Sequence, residues 1–318
     1  MVGGRTRRPV ALVLRALGLG DFLTGLPALQ VIRRALPEHE IVLAAPEVFA
    51  PFVELLPAVD RLFPRGELQS LTDFGSPVDV GIDLHGKGPE SRRLLADLQP
   101  RRVVGFADPA AGLAGPAWWP DEHEVRRWCR MVTRAFEIRS VPVESAHPGV
   151  AGSMRVPELG ALPSGVTIVH PGAAALARRW PTDRFAAVID RLGRAGHRVV
   201  ITGGPAEAEL VQHICADTEA IPMLDLSLLE LAALVANARL LVCGDTGVAH
   251  LASAYRTRSV LLFGPVSPRL WGPPADPRHL VLWHGDGTGD PHGATPDPAL
   301  LRITAAEVLR AVAALTPG

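Results

Sequence analysis

The chain has 318 residues, room for two domains of ordinary size. At 47% apolar and 20% charged, with a mean hydropathy of +0.19, it can bury a large core, which excludes a disordered protein. Its 32 basic and 33 acidic residues leave a formal charge of −1, so no global electrostatic attraction to nucleic acid is expected.

Short β-rich runs alternate with helical patterns, which predicts βαβ units and parallel sheets. PVALVLRA reads as a buried strand, followed by a turn at Gly18-Leu19-Gly20 and a helix to Leu36. EIVLAAP predicts the next strand, then a short helix around 48–56 and a strand near 59–63. VDVGIDL is a further strand, with a helix over 90–98, the strand RRVVGF, a loop over 109–120 and a helix over 121–137. Residues 140–165 are rich in Pro, Gly and Ser and read as an interdomain linker. A second series follows: VTIVH, a helix over 182–195, HRVVITGG, helices over 206–216 and 228–236, RLLVCGD, a helix over 248–255 and SVLLFG. After a polar Gly/Pro loop at 284–298, Thr304 and Glu307 form a capping-box pattern for a last amphipathic helix.

No uncharged stretch approaches the ~18 apolar residues of a membrane span. The basic start is followed by an apolar run too short, and broken by Arg15, for a secretory leader, so a cytoplasmic protein is expected. Cys129, Cys215 and Cys243 lie far apart and read as small buried hydrophobes. His85, His147, His284 and His292 show no metal-ligand spacing, and no metal or cofactor is expected. Lys87 is the only lysine among the 32 basic residues, so an arginine at any one site is weak evidence for a guanidinium requirement.

Open parallel sheets bind ligands beyond the C-terminal ends of their strands, and four strand-to-helix turns are unusual. Asp21, after Gly18-Leu19-Gly20, is either a carboxylate poised as a general base or a helix N-cap. His170-Pro171-Gly172-Ala173 leads to Arg178-Arg179-Trp180-Pro181, where paired guanidiniums suit a diphosphate, or form a solvated loop with Trp180 packed inward. Glu207, after Gly203-Gly204, either accepts ribose hydroxyls or complements the dipole of its helix. Gly244-Asp245-Thr246-Gly247-Val248-Ala249-His250 is the most specific. Its glycines admit a close ligand, its helix start attracts anions, and His250 lies one turn beyond Thr246 on the same face. There is no P-loop, no Asp-x-Asp and no G-x-S-x-G, which argues against a P-loop ATPase, a metal-held nucleotide diphosphate and an α/β-hydrolase.

Taken together, Gly20-Asp21 with Leu26-Pro27-Ala28-Leu29 and Arg33, Asp83-Leu84-His85-Gly86, the His170 and Arg178 segments, GDTGVAHLASA, LFGP and WGP resemble glycosyltransferase family 9. This is the family of ADP-heptose:lipopolysaccharide heptosyltransferases. The resemblance implies a GT-B fold with two Rossmann-like α/β/α domains facing a central cleft. Residues 1–155 would be the acceptor domain, 156–298 the nucleotide-sugar domain, and 299–318 a helix crossing back to the first.

It further implies an inverting, metal-independent transfer, from a nucleotide-diphosphate sugar such as ADP-heptose to a glycan or small-molecule hydroxyl. Asp21 falls on the family's catalytic aspartate, and Arg178 on a position usually held by a diphosphate-contacting lysine. Glu207 would meet the ribose and Asp245 the sugar, with Thr246, Gly247 and His250 at the phosphates. His170, Gly172 and Arg179 complete the donor set; Gly20 and His85 would face the acceptor. Contact with nucleic acid is not implied, whereas peripheral contact with a membrane is compatible. The competing readings are a GT-B nucleotide-sugar epimerase or hydrolase and a non-catalytic nucleotide-sugar-binding protein.

Overall fold

The computed structural model describes residues 8–138, 152–158 and 160–316, and these divide into two compact units. The first takes the chain to residue 138 together with residues 153–155; the second takes residue 152 and what is described from Val156 onward. Of the linker expected at 140–165, residues 140–151 and 159 lie outside the described residues, and His147 with them.

In the first unit, β1 (Val10–Leu14), β2 (Glu40–Ala45), β3 (Arg61–Pro64), β4 (Val80–Asp83) and β5 (Arg102–Val104) form one sheet ordered β3-β2-β1-β4-β5. Every pairing is parallel. The helices are α1 (Leu19–Ala35), α2 (Ala50–Val53), α3 (Glu90–Ala96) and α4 (Glu124–Ala135). All of β1 is buried, as expected of a central parallel strand covered on both faces, with Leu12 opposite Val42 on one side and Gly81 on the other. The order reverses between β1 and β4, so this unit's ligand crevice is predicted beyond the ends of those two strands.

The second unit repeats the plan. Its strands are β6 (Thr167–His170), β7 (Val199–Thr202), β8 (Ile221–Met223), β9 (Leu240–Gly244), β10 (Ser259–Phe263) and β11 (His279–Trp283). The sheet is parallel throughout, in the order β11-β10-β9-β6-β7-β8, and its switch point falls between β6 and β9. Its helices are α5 (Thr182–Arg194), α6 (Ala208–Ala216), α7 (Leu228–Ala236), α8 (Gly247–Tyr255), α9 (Pro268–Trp271), α10 (Pro298–Arg302) and α11 (Ala305–Leu315). Among the described residues no helix is long and apolar enough to cross a membrane.

Three details differ from the sequence reading. The edge strands β8 and β11 carry no strand prediction, since β8 contains Pro222 and exposes two of its three residues. Helix α4 begins at Glu124 rather than residue 121 because the His123 ring, at the N-cap, accepts from Val125 N–H at 3.2 Å. A 3₁₀ turn over Pro205–Glu207 precedes α6. Residues 299–318, expected to pack back on the first domain, belong to the second unit as far as they are described. Helix α11 is capped as predicted: Thr304 Oγ1 accepts from Glu307 N–H, and Glu307 Oε2 accepts from Thr304 N–H. Its apolar stripe, however (Val308, Ala311, Val312 and Leu315), lies in the second unit's core with Phe185, Val188, Val260 and Leu262. That i, i+3, i+4, i+7 spacing makes one continuous apolar face, and α5 with the β10–β11 edge supplies the surface that covers it.

Candidate active site

The residues singled out from the sequence gather at the two switch points. In the second unit, β6 delivers His170 to the C-terminal edge of the sheet, buried, with Nδ1 3.0 Å from Thr202 Oγ1 at the end of β7. Burial holds the His170 imidazole below its ordinary pKa, against the opposing pull of Glu207, so the ring is neutral. The loop after His170 is fixed from within. Arg179 Nε donates to Ala173 O at 2.9 Å, and Trp180 Nε1 donates to Ile303 O at 3.1 Å while its ring meets Phe185 edge-on. Trp180 is therefore core, and one of the two guanidiniums holds its own loop.

Arg178 is placed differently. It closes a 3₁₀ turn whose backbone lies over the end of β9, where a Cβ on Gly244 would come within 3.0 Å of Arg178 O. Its Nη1 is 3.9 Å from Asp245 Oδ2, and its buried Nε has no hydrogen-bond partner among the described residues. Burial pushes the Asp245 carboxyl up to about 6, against the lowering pull of Arg178. Thr246 stands at the N-cap of α8 with no capping hydrogen bond from its side chain, so its hydroxyl and the first-turn N–H groups from Gly247 onward share one end of the helix. His250, one turn further on, is buried with its ring 6.2 Å from that of Trp271.

Glu207 is committed in part to local structure. Its Oε2 accepts from Gly204 N–H at 2.9 Å, and its carboxyl group fills the space where a Gly172 side chain would be. A Cβ on Gly172 would sit 1.8 Å from Glu207 Oε1. Gly172→Ala is accordingly expected to swing Glu207 off Gly204 and to lower stability by about 1 kcal/mol, the usual cost of a lost cap. In a Glu207→Ala background the same change should cost nothing further, which a double-mutant cycle by denaturant unfolding would show.

In the first unit, Gly18 is the N-cap of α1 with no side-chain cap, and Gly20 and Asp21 are the helix's second and third residues. Asp21 is thus not an N-cap; its side chain is 32% exposed at the end of β1. Burial raises the Asp21 pKa and the Arg15 guanidinium opposes this, while Glu124 and Glu67 push it up further. At the end of the neighbouring strand β4, His85 Nδ1 accepts from Ala16 N–H at 3.3 Å, which leaves the ring proton on Nε2. Burial and Arg15 both hold His85 below its ordinary pKa, so it is neutral. Asp83, fully buried, orders the loop carrying His85 by accepting from His85 N–H at 2.9 Å and Ser91 Oγ at 2.8 Å.

Sequence reasoning missed Arg15 and Glu124 as parts of this arrangement, and noted Asp83 only within the Asp83-Leu84-His85-Gly86 motif. The available signal for Arg15 was a charged residue directly after the wholly apolar run of β1, just upstream of the Gly18 turn. Among the described residues no cluster of three or more His, Cys, Asp or Glu is placed to hold a metal ion.

Comparison with known proteins adds a family to this geometry. Residues 116–289 match glycosyltransferase family 9 (heptosyltransferase). Lipopolysaccharide heptosyltransferase 3 of Escherichia coli is 32% identical over 159 residues, 47% of this chain and 46% of that protein, so the match spans less than half of that relative. Lipopolysaccharide heptosyltransferase 1 of Pseudomonas aeruginosa is 28% identical over 295 residues, 82% of this chain and 80% of that protein. The solved structure of the E. coli ADP-heptose lipopolysaccharide heptosyltransferase II superposes with a TM-score of 0.75 at 19% identity, covering 96% of this chain and 98% of that one. It shares the fold, two Rossmann-like halves of the GT-B type. With the family match covering more than half of its length, the chain belongs to glycosyltransferase family 9 and is a glycosyltransferase.

Proposed function

We propose that the protein transfers heptose from ADP-heptose to a hydroxyl of a glycan or small-molecule acceptor, with inversion at the anomeric carbon and without a metal ion. The observation that carries this reading is the cluster at the β6–β9 switch point: Arg178 with an unpartnered Nε, Asp245 beside it and the open N-terminus of α8. Such a set matches a sugar diphosphate, with cationic and N–H donors for the phosphates and a carboxylate for sugar hydroxyls. Heptose is favoured because the relatives are heptosyltransferases, and ADP because the similar solved structure is that of an ADP-heptose lipopolysaccharide heptosyltransferase.

As the bond from the acceptor oxygen to the anomeric carbon forms, the bond from that carbon to the phosphate oxygen breaks. Asp21 takes the acceptor proton, and the electron pair leaves on ADP. Negative charge grows on the departing phosphate, where Arg178, Thr246 and the Gly247 end of α8 stabilise it in the role a divalent metal fills in other transferases. His85 presents Nε2–H as a donor to acceptor oxygen beside Gly20. In this reading neutral His170, Gly172, Arg179, Glu207 and His250 shape the donor pocket, and the transfer is a cytoplasmic reaction.

The test is binding and turnover of ADP-, UDP-, GDP- and dTDP-sugars, ADP-heptose included, by wild type, Asp21→Ala and Asp245→Ala. Selective ADP-heptose binding, lost in Asp245→Ala and kept in Asp21→Ala, with turnover lost in both, is the expected pattern. Absence of binding to any nucleotide sugar at millimolar concentration would overturn the donor site.

A further inference from the structure

The surroundings of Asp21 extend this reading, on which the inference rests. Arg15 follows β1 and is 2% exposed, yet its guanidinium is shared among three segments of the first unit. Nε donates to the backbone carbonyl of Asp21 at 2.6 Å, Nη1 donates to Leu84 O, and Nη2 donates to Thr24 Oγ1 at 3.0 Å and Glu124 Oε1 at 3.3 Å. The same Nη2 lies 3.6 Å from Asp21 Oδ1. Two carboxylates therefore compete for one edge of one guanidinium.

Helix α4 supplies the second carboxylate and anchors it firmly. Glu124 Oε1 also accepts from Trp128 Nε1 at 2.6 Å, Oε2 accepts from Arg127, and the Trp128 ring lies 4.8 Å from the Arg15 guanidinium carbon. On the opposite side, Gly25 of α1 leaves the space Arg15 needs, since a Cβ there would come within 2.9 Å of its Nε. Thr24 completes the clasp by donating its hydroxyl to Asp21 O at 3.0 Å. We propose that Arg15 is the positioning residue of Asp21, and that Glu124 sets how much of the Arg15 charge reaches the Asp21 carboxylate.

Three further groups bear on Asp21 or its clamp. Glu67, in the loop after β3, acts on Asp21 from solvent; His85, at the end of β4, is neutral; Arg127 faces Glu124 rather than Asp21. The sign of each change follows from electrostatics. Removing the Glu124 charge takes away a like charge and frees Arg15 for Asp21, which favours the Asp21 anion. Removing the Arg15 charge does the reverse.

The experiment is a carboxyl ¹³C NMR titration of the full chain, with the Asp21 signal assigned by its loss in Asp21→Asn. In Glu124→Gln the Asp21 midpoint should move to lower pH. In Arg15→Met it should move to higher pH, and in Arg15→Lys it should return below the Arg15→Met value. The remaining aspartate signals report whether each variant is folded. Should Arg15→Met fail to fold, Glu124→Gln and Arg15→Lys suffice: a midpoint unchanged from wild type in Glu124→Gln overturns the proposal. A purely structural role for Arg15 and Glu124 would alter stability and leave that midpoint in place. The readout needs no substrate, so loss of this inference is distinct from loss of the base assignment, which transfer by Asp21→Asn decides.

Discussion

Asp21→Asn is expected to lower turnover of ADP-heptose with acceptor by about 10²–10⁴-fold, the usual contribution of a positioned general base, and to leave donor affinity unchanged. The asparagine keeps the size of the side chain and the backbone carbonyl that Arg15 and Thr24 hold, so the first turn of α1 should persist. It cannot accept a proton at neutral pH. The proposed donor groups belong to the second unit and Asp21 to the first, so the change is expected to fall on catalysis rather than on donor binding. A pH profile separates this from general damage. Burial places the Asp21 pKa above the ordinary aspartate range, and only the anion serves as base. Wild-type kcat should therefore fall as the solution is acidified through that raised pKa, whereas residual turnover in Asp21→Asn should show no such limb. Transfer at the wild-type rate in Asp21→Asn would remove Asp21 from the chemistry.

Much of the architecture was legible because parallel strands buried on both faces are written as unbroken apolar runs. VALVL, VTIVH and SVLLF announce β1, β6 and β10, and the glycines that follow mark their turns. The edge strand β8 was not, because it contains Pro222 and exposes two of its three residues, whereas β11, HLVLW, carries an apolar run that went unread. The turns at the ends of β6 and β9 stood out for a related reason: Gly244 and Gly172 are small where another group must come close, the backbone of Arg178 in one case and the Glu207 carboxyl in the other.

What the local sequence could not show is pairing across elements. Arg15 and Glu124 are 109 positions apart and look unrelated until α1 and α4 pack together. Likewise, the apolar stripe of α11 declares that the helix is covered on one face, and says nothing about which surface covers it. Ordinary packing and capping explain Trp180 wholly and Glu207 in part. Arginine composition also misleads locally, since Arg179 secures Ala173 O while Arg178 keeps an unpartnered nitrogen.

Asp245→Asn should trade donor binding for stability. An aspartate whose pKa rises from 3.8 to about 6 on folding holds its proton more tightly in the native state than in the unfolded chain. Its penalty is present in full above pH 6 and is relieved as the pH falls from about 6 toward 3.8, opposite to the behaviour of a salt-bridged carboxylate. A rise of that size corresponds to about 3 kcal/mol of destabilisation at neutral pH. Asparagine abolishes the buried charge, and Arg178, 22% exposed, keeps access to water when its partner is gone. Denaturant unfolding at pH 8 should therefore show Asp245→Asn more stable than wild type by up to about 3 kcal/mol, with the difference vanishing near pH 4. Equal or lower stability of the variant at pH 8 would contradict the buried-charge account. A buried carboxylate beside an arginine and a helix N-terminus is suited to bind sugar hydroxyls, as proposed above. Sugar hydroxyls donating to Asp245 would stabilise its anion, so saturating ADP-heptose should flatten the wild-type pH dependence and leave that of Asp245→Asn as it was.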